Sequence, residues 1–357
     1  MAKITRPEHG GALIPATKKY QIKKSDWLDL STGINPHGWP VPEIPPAVYN
    51  RLPETDDGLI ECAQNYYQNP DLIAIAGSQE AIQLIPKTLS ELNLIPTRPR
   101  VGLVTPAYAE HEFSWQLARA EIMHLSPDNI ESHLAELNIL VLINPNNPSG
   151  HLYSPESLQL WQQQLNRHKG FMIIDEAFMD CTPQYSLLPH TDFNQADNLI
   201  ILRSVGKFFG LAGIRAGFMA AQPKVLESFQ FFQGPWSVSH PARYVLKQAL
   251  KDTQWIEQNR QWLLQQSDRL ENILVDFIQN FDQQAKVNGS PLFKTVFTDK
   301  AQNLFEHLAH QGILTRLLDN LSGVRFGLPG DSQQFERLGQ AINYSSCDLT
   351  RPFIKGC

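Results

Sequence analysis

The stretch from Ser204 to Phe218 carries a lysine, Lys207, among glycines and apolar residues. An ammonium group in such surroundings is poorly hydrated, which favours the neutral amine, and a neutral amine can attack a carbonyl. This is the chemistry of a Schiff-base lysine, whose commonest aldehyde is pyridoxal phosphate. Ser204 and Arg215 offer a hydroxyl and a guanidinium that could both bind one phosphate. The same pattern also fits a lysine that only buries its aliphatic stem beside a glycine-rich turn.

Two further polar groups follow predicted strands. Asn147 lies in an Asn-Pro-Asn-Asn-Pro-Ser-Gly run after the apolar residues 139–143, and Asp175 follows the apolar residues 171–174. Each apolar run is typical of a buried parallel strand. Because ligands of open α/β sheets bind at the carboxyl ends of the strands, we expect both side chains and Lys207 to face one crevice.

A third polar group lies where a predicted strand turns into a helix, within residues 71–82. The free N–H groups and the dipole of a helix N-terminus attract an anion. Gly77 allows the backbone to approach such a ligand closely, and Ser78 and Gln79 supply hydrogen-bond donors. Every capped helix begins in a similar way, so this pattern alone does not establish an anion site.

Together these stretches resemble the fold-type I pyridoxal-phosphate enzymes of the aspartate aminotransferase superfamily. The resemblance implies that Lys207 bonds the cofactor aldehyde, that Asp175 pairs with the pyridinium nitrogen, and that Asn147 donates to the ring's phenolate oxygen. It implies that Tyr108, which the sequence alone would assign to packing, stacks on the ring as a third catalytic residue beside Lys207 and Asp175. The residues that it implies for the cofactor phosphate are Gly77, Ser78, Gln79, Ser204 and Arg215.

Three positions depart from the pattern of the related enzymes. Phe178 stands where the superfamily often has a tyrosine that donates to the phenolate oxygen. Gly206 replaces a serine or threonine directly before the lysine, and Leu52 lies where related enzymes often have a tyrosine that reaches the partner subunit's cofactor phosphate. We expect a changed Schiff-base equilibrium and a lower affinity for the phosphate.

The amino-terminal residues carry a narrower resemblance. The motifs His9-Gly10-Gly11 and Ser31-x-x-Ile34-Asn35-Pro36 are similar to the start of threonine-phosphate decarboxylases of the cobalamin pathway, in which this arm covers the active site. The substrate-binding residues that this group implies are His9, Asn35, Arg316 and Arg325, the last as the arginine that holds the substrate carboxylate. Judged by residue type alone, a solvated histidine near a terminus is the preferred explanation of His9, and a surface arginine at a strand end explains Arg316 equally well.

The reaction implied by this group is decarboxylation of L-threonine O-3-phosphate to (R)-1-amino-2-propanol O-2-phosphate and CO2. A histidinol-phosphate-type aminotransferase is the nearest alternative, and a non-catalytic pyridoxal-phosphate-binding protein is a distant one. Cofactor motifs do not separate decarboxylation from transamination, because the bond to Cα that stands perpendicular to the ring decides which reaction follows.

Alternating strand and helix patterns predict an α/β fold, with a large domain whose mainly parallel sheet lies between helices and a smaller C-terminal α/β domain. We expect an arm over residues 1–35 without a helix of useful length, a cofactor-binding domain over 36–235 and a small domain over 236–357. Apolar residues from Trp255 to Phe281 recur at helical spacing and predict one long amphipathic helix.

The charge and amino-acid composition of the chain limit the kinds of molecule that it is expected to bind. A net charge of −6 without a long basic run argues against nucleic acid or an anionic membrane as a partner. No apolar run reaches the roughly 20 residues that span a bilayer, and no signal-peptide core opens the chain, so we expect a cytoplasmic protein. The four cysteines lack paired metal-ligand spacing, so no metal is expected. The superfamily implies a homodimer with cross-subunit contacts near the proline-rich segment after the arm.

Overall fold

The computed structural model describes residues 6–7 and 9–343. These residues form two compact units. The large unit contains residues 6–7, Gly38–Asn147 and His151–Glu257, and the small unit contains residues 9–37, Pro148–Gly150 and 258–343. The short segment Pro148–Gly150 therefore belongs to the small unit, although the chain on both sides of it belongs to the large one.

Strands and helices are numbered here in chain order over the described residues. The strands are β1 (Leu28–Asp29), β2 (Leu72–Ile75), β3 (Arg100–Val104), β4 (Glu121–Leu125), β5 (Ile139–Ile143), β6 (Phe171–Asp175), β7 (Leu199–Ser204), β8 (Gly217–Ala221), β9 (Lys286–Ser290), β10 (Phe293–Phe297), β11 (Ile313–Leu314), β12 (Arg316–Leu317) and β13 (Gly323–Gly327). The helices are α1 (Leu13–Tyr20), α2 (Pro46–Asn50), α3 (Leu59–Tyr67), α4 (Ser78–Glu91), α5 (Ala109–Leu117), α6 (Ile130–His133), α7 (Pro155–Asn166), α8 (Val205–Phe208), α9 (Pro223–Gln233), α10 (His240–Ala249), α11 (Thr253–Phe281), α12 (Ala301–His310) and α13 (Ser332–Asn343).

The large unit is built on a seven-stranded sheet in the order β2-β8-β7-β6-β5-β3-β4. Strand β8 runs antiparallel to both of its neighbours, and the other pairs are parallel. Every residue of β5 and β6 is buried, as continuous apolar runs in a parallel sheet require. Side chains of α4 and α9 pack on one face of this sheet in the hydrophobic core. The predicted α/β fold with a mainly parallel sheet is confirmed.

The register of the central strands brings the predicted polar groups to one edge of the sheet. Asp175 lies opposite Ile143 of β5 and opposite Leu202 of β7. The backbone N–H of Asn144 donates to the Asp175 carbonyl at 2.9 Å, and the N–H of Glu176 donates to the Leu202 carbonyl at 2.9 Å, so the ladder continues just past the strand ends. The loops that follow β5, β6 and β7 consequently begin next to one another at this edge of the sheet.

The small unit contains a four-stranded antiparallel sheet in the order β12-β13-β10-β9 and a parallel pair formed by β1 and β11. Residues 9–37 are part of this unit. Their helix α1 buries Ala16 in a cluster with Trp27, Ala309 and Leu314. The expectation that the arm has no helix of useful length is therefore wrong, because tertiary packing stabilises an eight-residue helix that would be marginal alone.

The division between the units falls inside α11, after Glu257, whereas the sequence pattern placed it near residues 234–240. Helix α10 lies in the large unit because its polar face pairs with the loop before α3. Arg243 donates to both carboxylate oxygens of Asp57, at 2.6 and 3.1 Å, and Lys247 donates to the Asp57 carbonyl at 2.9 Å. Among the described residues, no helix combines the length and the apolar character that crossing a membrane requires.

Candidate active site

The candidate catalytic and cofactor-binding residues of the large unit lie at the carboxyl end of its sheet. Asp175 is the last residue of β6, Ser204 is the last residue of β7, and Lys207 follows within the short helix α8. Asn147 comes four residues after the end of β5 and is half-buried. The geometry expected from parallel strands is present in the backbone.

Asp175 is held by a histidine that the sequence analysis did not assign. The Asp175 side chain is almost fully buried, and its Oδ2 lies 3.0 Å from His111 Nε2. Its Oδ1 accepts a hydrogen bond from the Ala177 N–H at 3.0 Å. An ionised carboxylate only accepts hydrogen bonds, so the imidazole donates to it. His111 lies near the start of α5, one turn after Tyr108, and that spacing is a signal that could have linked it to the site.

Lys207 has an apolar aromatic neighbour. Its Nζ lies 5.5 Å from the ring centroid of Phe178, which is 3% exposed. The next two residues, Phe208 and Phe209, are fully buried. Lys207 itself is half-buried, and the poor hydration expected for its ammonium stays a prediction.

The start of helix α4 carries a set of hydrogen-bond donors suited to an anion. Gly77 precedes this 14-residue helix with a φ of +80°, and a Cβ at this position would lie 2.9 Å from Arg215 Nη2. Ser78 Oγ is buried and has no hydrogen-bond partner among the described residues. Within the described residues, the Arg215 guanidinium donates to the carbonyls of Ala212 and Ala76, at the long distances of 3.4 and 3.5 Å. A free helix N-terminus, an unsatisfied hydroxyl and a guanidinium form the donor set that a phosphate requires.

Gln79 does not offer its side chain to this position. Its amide nitrogen donates to Glu110 Oε2 at 2.5 Å, and its amide oxygen accepts from the Tyr108 hydroxyl at 3.3 Å. The backbone N–H of Gln79 is what this residue can give to an anion at the helix N-terminus. Its side chain instead links Tyr108, the expected stacking residue, to the buried Glu110.

In the small unit, the two predicted arginines lie side by side. Arg316 in β12 and Arg325 in β13 are directly opposite each other in the antiparallel pair, so their side chains leave the same face of the sheet. Arg325 is buried and donates from Nη2 to the Ser31 carbonyl at 2.8 Å. Arg316 donates to Asp319 at 2.6 Å. Two guanidiniums on one face of the sheet make this face attractive to an anion.

The two motifs of the arm contact each other in the small unit. The N–H of Gly11 donates to Ser31 Oγ at 2.7 Å, and a Cβ on Gly10 would lie 2.4 Å from the Ser31 carbonyl oxygen. His9 precedes these glycines and is exposed. The arm therefore reaches the same serine whose carbonyl accepts from Arg325.

Asn35 is used within the small unit as a structural amide. Its nitrogen donates to the His37 carbonyl and to Asn259 Oδ1, each at 2.9 Å, and its oxygen accepts from the His37 N–H at 2.9 Å. His37 also stacks on Trp262, with ring centroids 3.9 Å apart. These contacts fix the loop after the arm on α11, and the substrate role expected for Asn35 stays a prediction.

Comparison with known proteins identifies the family. The model of the family described as aminotransferase class I and II matches residues 47–338. The chain belongs to this family. Its enzymes depend on pyridoxal 5'-phosphate, which is the cofactor of this chain. The donor set at α4, Arg215 and Lys207 fits that cofactor's phosphate and aldehyde.

Two relatives and one solved structure illustrate the relationship. A threonine-phosphate decarboxylase of Pseudomonas aeruginosa is 40% identical over 335 residues, covering 94% of this chain and 97% of that protein. Another from Sinorhizobium sp is 34% identical over 340 residues, with 94% and 97% covered. The structure of a histidinol-phosphate aminotransferase from Sinorhizobium meliloti, in complex with pyridoxal-5'-phosphate, shares the fold at a TM-score of 0.80 and 16% identity, with 97% and 100% covered.

Of the three departures described above, Gly206 has a physical explanation in the packing. Gly206 packs against Ala212, because a Cβ on Gly206 would lie 2.9 Å from the Ala212 Cα, so a serine or threonine does not fit there. Phe178 keeps an aromatic ring beside Lys207 without a hydroxyl. Leu52 is 62% exposed on the large unit and gives no polar group to the site in its own chain.

Proposed function

We propose that this protein is a threonine-phosphate decarboxylase that uses pyridoxal 5'-phosphate. The observation that carries the proposal is the 40% identity to the Pseudomonas aeruginosa protein of that name, which extends over 97% of that protein. The substrate is L-threonine O-3-phosphate, and the products are CO2 and (R)-1-amino-2-propanol O-2-phosphate, a linker for the nucleotide loop of cobalamin. The likeness to histidinol-phosphate aminotransferase, at 16% identity, supports the fold alone.

When bound, the cofactor supplies an electron sink for the bond that breaks at Cα. Lys207 would hold its aldehyde, and the N-terminus of α4 with Ser78, Ser204 and Arg215 would hold its phosphate. Asp175 would keep a proton on the ring nitrogen, because a buried carboxylate beside it favours the charged form of a base. His111 orients that carboxylate through the 3.0 Å contact, as an outer partner does for other site residues.

Asn147 would donate to the phenolate oxygen of the ring, and Tyr108 would stack on the ring face. The Tyr108 hydroxyl is tied to Gln79, which is tied in turn to Glu110, so the aromatic ring is restrained from rotating away. An aromatic ring on this face also excludes water from the reacting carbon.

The substrate carries two acidic groups, a carboxylate and a phosphate. Arg325 offers a planar fork that can hold a carboxylate through two hydrogen bonds. Arg316 lies directly opposite it in the sheet and would bind the second anion, and His9 belongs to the same proposed substrate-binding set. Asn35 is the fourth residue of the proposed substrate-binding set, and its hydrogen bonds to His37 and Asn259 fix the loop on which it lies.

Decarboxylation requires the carboxylate bond to be perpendicular to the cofactor ring, and fixing the carboxylate at Arg325 would impose that orientation. Once CO2 has left, the carbon needs one proton from solvent, which either the protonated Lys207 amine or a water would deliver. The Phe178 ring, 5.5 Å from Nζ, gives that amine an apolar neighbour.

The direct test mixes cofactor-loaded protein with L-threonine O-3-phosphate in the absence of any keto acid. Repeated turnover with one CO2 per amine product is expected. No CO2, together with amino transfer from histidinol phosphate to 2-oxoglutarate, would identify an aminotransferase. Absence of turnover with every amino acid tried would support a non-catalytic binding protein.

We also propose a homodimer. Several large apolar or aromatic side chains are exposed on the described large unit; Phe231 is 80% exposed, and Tyr49, Leu52 and Trp236 are among the others. His240 Nδ1 lies 3.3 Å from the Arg51 carbonyl, so the segments on which Leu52 and Trp236 lie come together. Exposed apolar patches of this kind mark protein interfaces. Light scattering of the wild type and of a Phe231→Glu variant tests this, with a dimer and a weakened dimer expected. The cytoplasmic location stays a prediction, which cell fractionation can test.

A further inference from the structure

A buried ionic network lies directly behind the candidate active site in the large unit. Arg203 donates from Nη1 to Glu176 Oε2 at 2.6 Å and from Nη2 to Asp180 Oδ1 at 2.5 Å. All three side chains are between 0% and 3% exposed. One arginine that bridges two carboxylates in this way requires both to stay in place, because a buried charge that loses its partner is strongly unfavourable.

Further hydrogen bonds fix each carboxylate. Glu176 accepts from the Ser186 hydroxyl at 2.6 Å and from the Leu187 N–H at 3.1 Å. Asp180 accepts from the Tyr66 hydroxyl at 3.2 Å. The Arg203 guanidinium lies 4.6 Å from the ring centroid of Tyr67, on a neighbouring helix. The network thereby joins β6, β7, α3 and the turn after β6.

The members of the network adjoin the site residues in the chain. Glu176 follows Asp175 directly, and Arg203 precedes Ser204, which is three residues before Lys207. Asp175 lies opposite Leu202, and side chains alternate between the faces of a sheet, so Glu176 and Arg203 are on the other face from Asp175. They fix the strand ends without occupying the cofactor's space.

The network also reaches the turn that carries Phe178 and the turn that carries Lys207. Phe178 lies between Glu176 and Asp180, both of which are clamped by the same guanidinium. The centroid of the Tyr66 ring lies 5.8 Å from that of Phe209, which comes two residues after Lys207. Phe209 in turn stacks on Trp255.

We propose that Arg203 is a positioning residue for the reaction, with Glu176 and Asp180 as its anchors, and that together they set the placement of Asp175, Phe178 and Lys207 around the cofactor. Of the measurements that test this proposal, only the enzyme activity rests on the proposed function. The network touches no substrate and acts through the two strand ends and the turns that follow them. Lysine cannot replace Arg203, because a single ammonium lacks the rigid fork that holds two carboxylates at once.

The test uses the cofactor-loaded full chain with the variants Asp180→Asn and Arg203→Lys. Asp180→Asn keeps the shape of the side chain and an oxygen for Tyr66, which makes it the variant least exposed to a folding failure. The control is Asn198→Ala, which removes buried hydrogen bonds to Gln162 and Gly170 at the opposite end of the same strands. Each protein is measured for thermal unfolding, cofactor dissociation and the visible circular dichroism per bound cofactor.

All three variants are expected to lower the unfolding temperature. Only Asp180→Asn and Arg203→Lys should also reduce the visible circular dichroism, which reports the orientation of the bound chromophore, and lower kcat by roughly tenfold to a hundredfold with little change in KM. Unchanged dichroism and kcat in Asp180→Asn would overturn the proposal, as would an equal change in Asn198→Ala. The dichroism requires no substrate, so it tests positioning even if the enzyme acts on a different amino acid.

Discussion

Replacement of Arg325 by alanine tests the proposed substrate site most directly. A fork that binds a carboxylate forms two charge-assisted hydrogen bonds, each worth about 1.5–3 kcal/mol in proteins. Taking about 3 kcal/mol in total as a conservative loss of transition-state binding, kcat/KM should fall roughly a hundredfold. The cofactor residues belong to the large unit, so the cofactor should remain bound.

The same substitution has a structural cost that must be separated from the catalytic one. The Ser31 carbonyl loses a donor at 2.8 Å, which costs about 1–3 kcal/mol if no other donor replaces it. Loss of a guanidinium directly opposite Arg316 relieves like-charge repulsion and offsets part of that cost. We therefore expect a modest fall in unfolding temperature.

The assay follows CO2 release from L-threonine O-3-phosphate, together with cofactor content and thermal unfolding. Arg337→Ala is the matched control, because Arg337 also donates to small-unit carbonyls, those of Asp26, Gln311 and Gly312, at 2.8 to 3.1 Å. It should lower stability and leave kcat/KM unchanged. Inorganic phosphate should raise the unfolding temperature of the wild type more than that of Arg325→Ala.

Full kcat/KM in a cofactor-loaded Arg325→Ala variant would refute the assignment of this arginine to the substrate. A loss of activity of the same size in Arg337→Ala would show that damage to the small unit, and not loss of an anion site, accounts for the effect.

Three other predictions follow from the large unit. Phe178→Tyr places a hydroxyl in the turn beside Lys207. A new donor to the phenolate oxygen favours the unprotonated Schiff base, so the pH midpoint of the cofactor's visible absorbance should fall. An unchanged midpoint would show that the hydroxyl does not reach the phenolate oxygen. Gly206→Ser pushes a Cβ to 2.9 Å from the backbone Cα of Ala212 and should destabilise by about 1–3 kcal/mol in thermal unfolding; unchanged stability would show that the turn can move away. Burial alone would raise the pKa of Asp57, but hydrogen bonds from an arginine of α10 and from a backbone N–H outweigh it and lower that pKa, so this carboxylate stabilises the fold above its unfolded pKa of about 3.9 and the contribution disappears as the pH falls through the folded value. Asp57→Asn should accordingly be less stable than the wild type at neutral pH, and the difference should vanish in acid; a difference that persists there would contradict the reasoning.

Much of the large unit could be predicted from local patterns. The runs 139–143 and 171–174 are apolar at every position, which only a strand covered on both faces tolerates, and both are strands in the structure. Strand β8 was not predicted, because its residues directly follow the lysine motif. It pairs antiparallel with β7, just before that motif, and with β2, which lies more than 140 residues earlier in the chain. Long-range pairing of this kind leaves no periodic signal of its own.

Helix α1 and the division inside α11 show the same limit. The eight residues of α1 are too few to be stable alone, and the helix depends on Ala309 and Leu314, almost three hundred positions away in sequence. Helix α10 belongs to the large unit because of Arg243 and Asp57, a pairing that neither residue's neighbours reveal.

The sequence by itself determined the fold class, the strands over residues 139–143 and 171–174, and the family, because burial patterns and short motifs are local properties of the chain. Tertiary structure alone decided that His111 holds Asp175, that Gln79 turns its side chain to Glu110, that Arg316 lies opposite Arg325, and that Arg203 clamps two carboxylates behind the site. These contacts join side chains from different elements, and a buried polar group takes whichever partner the packing brings within hydrogen-bond distance.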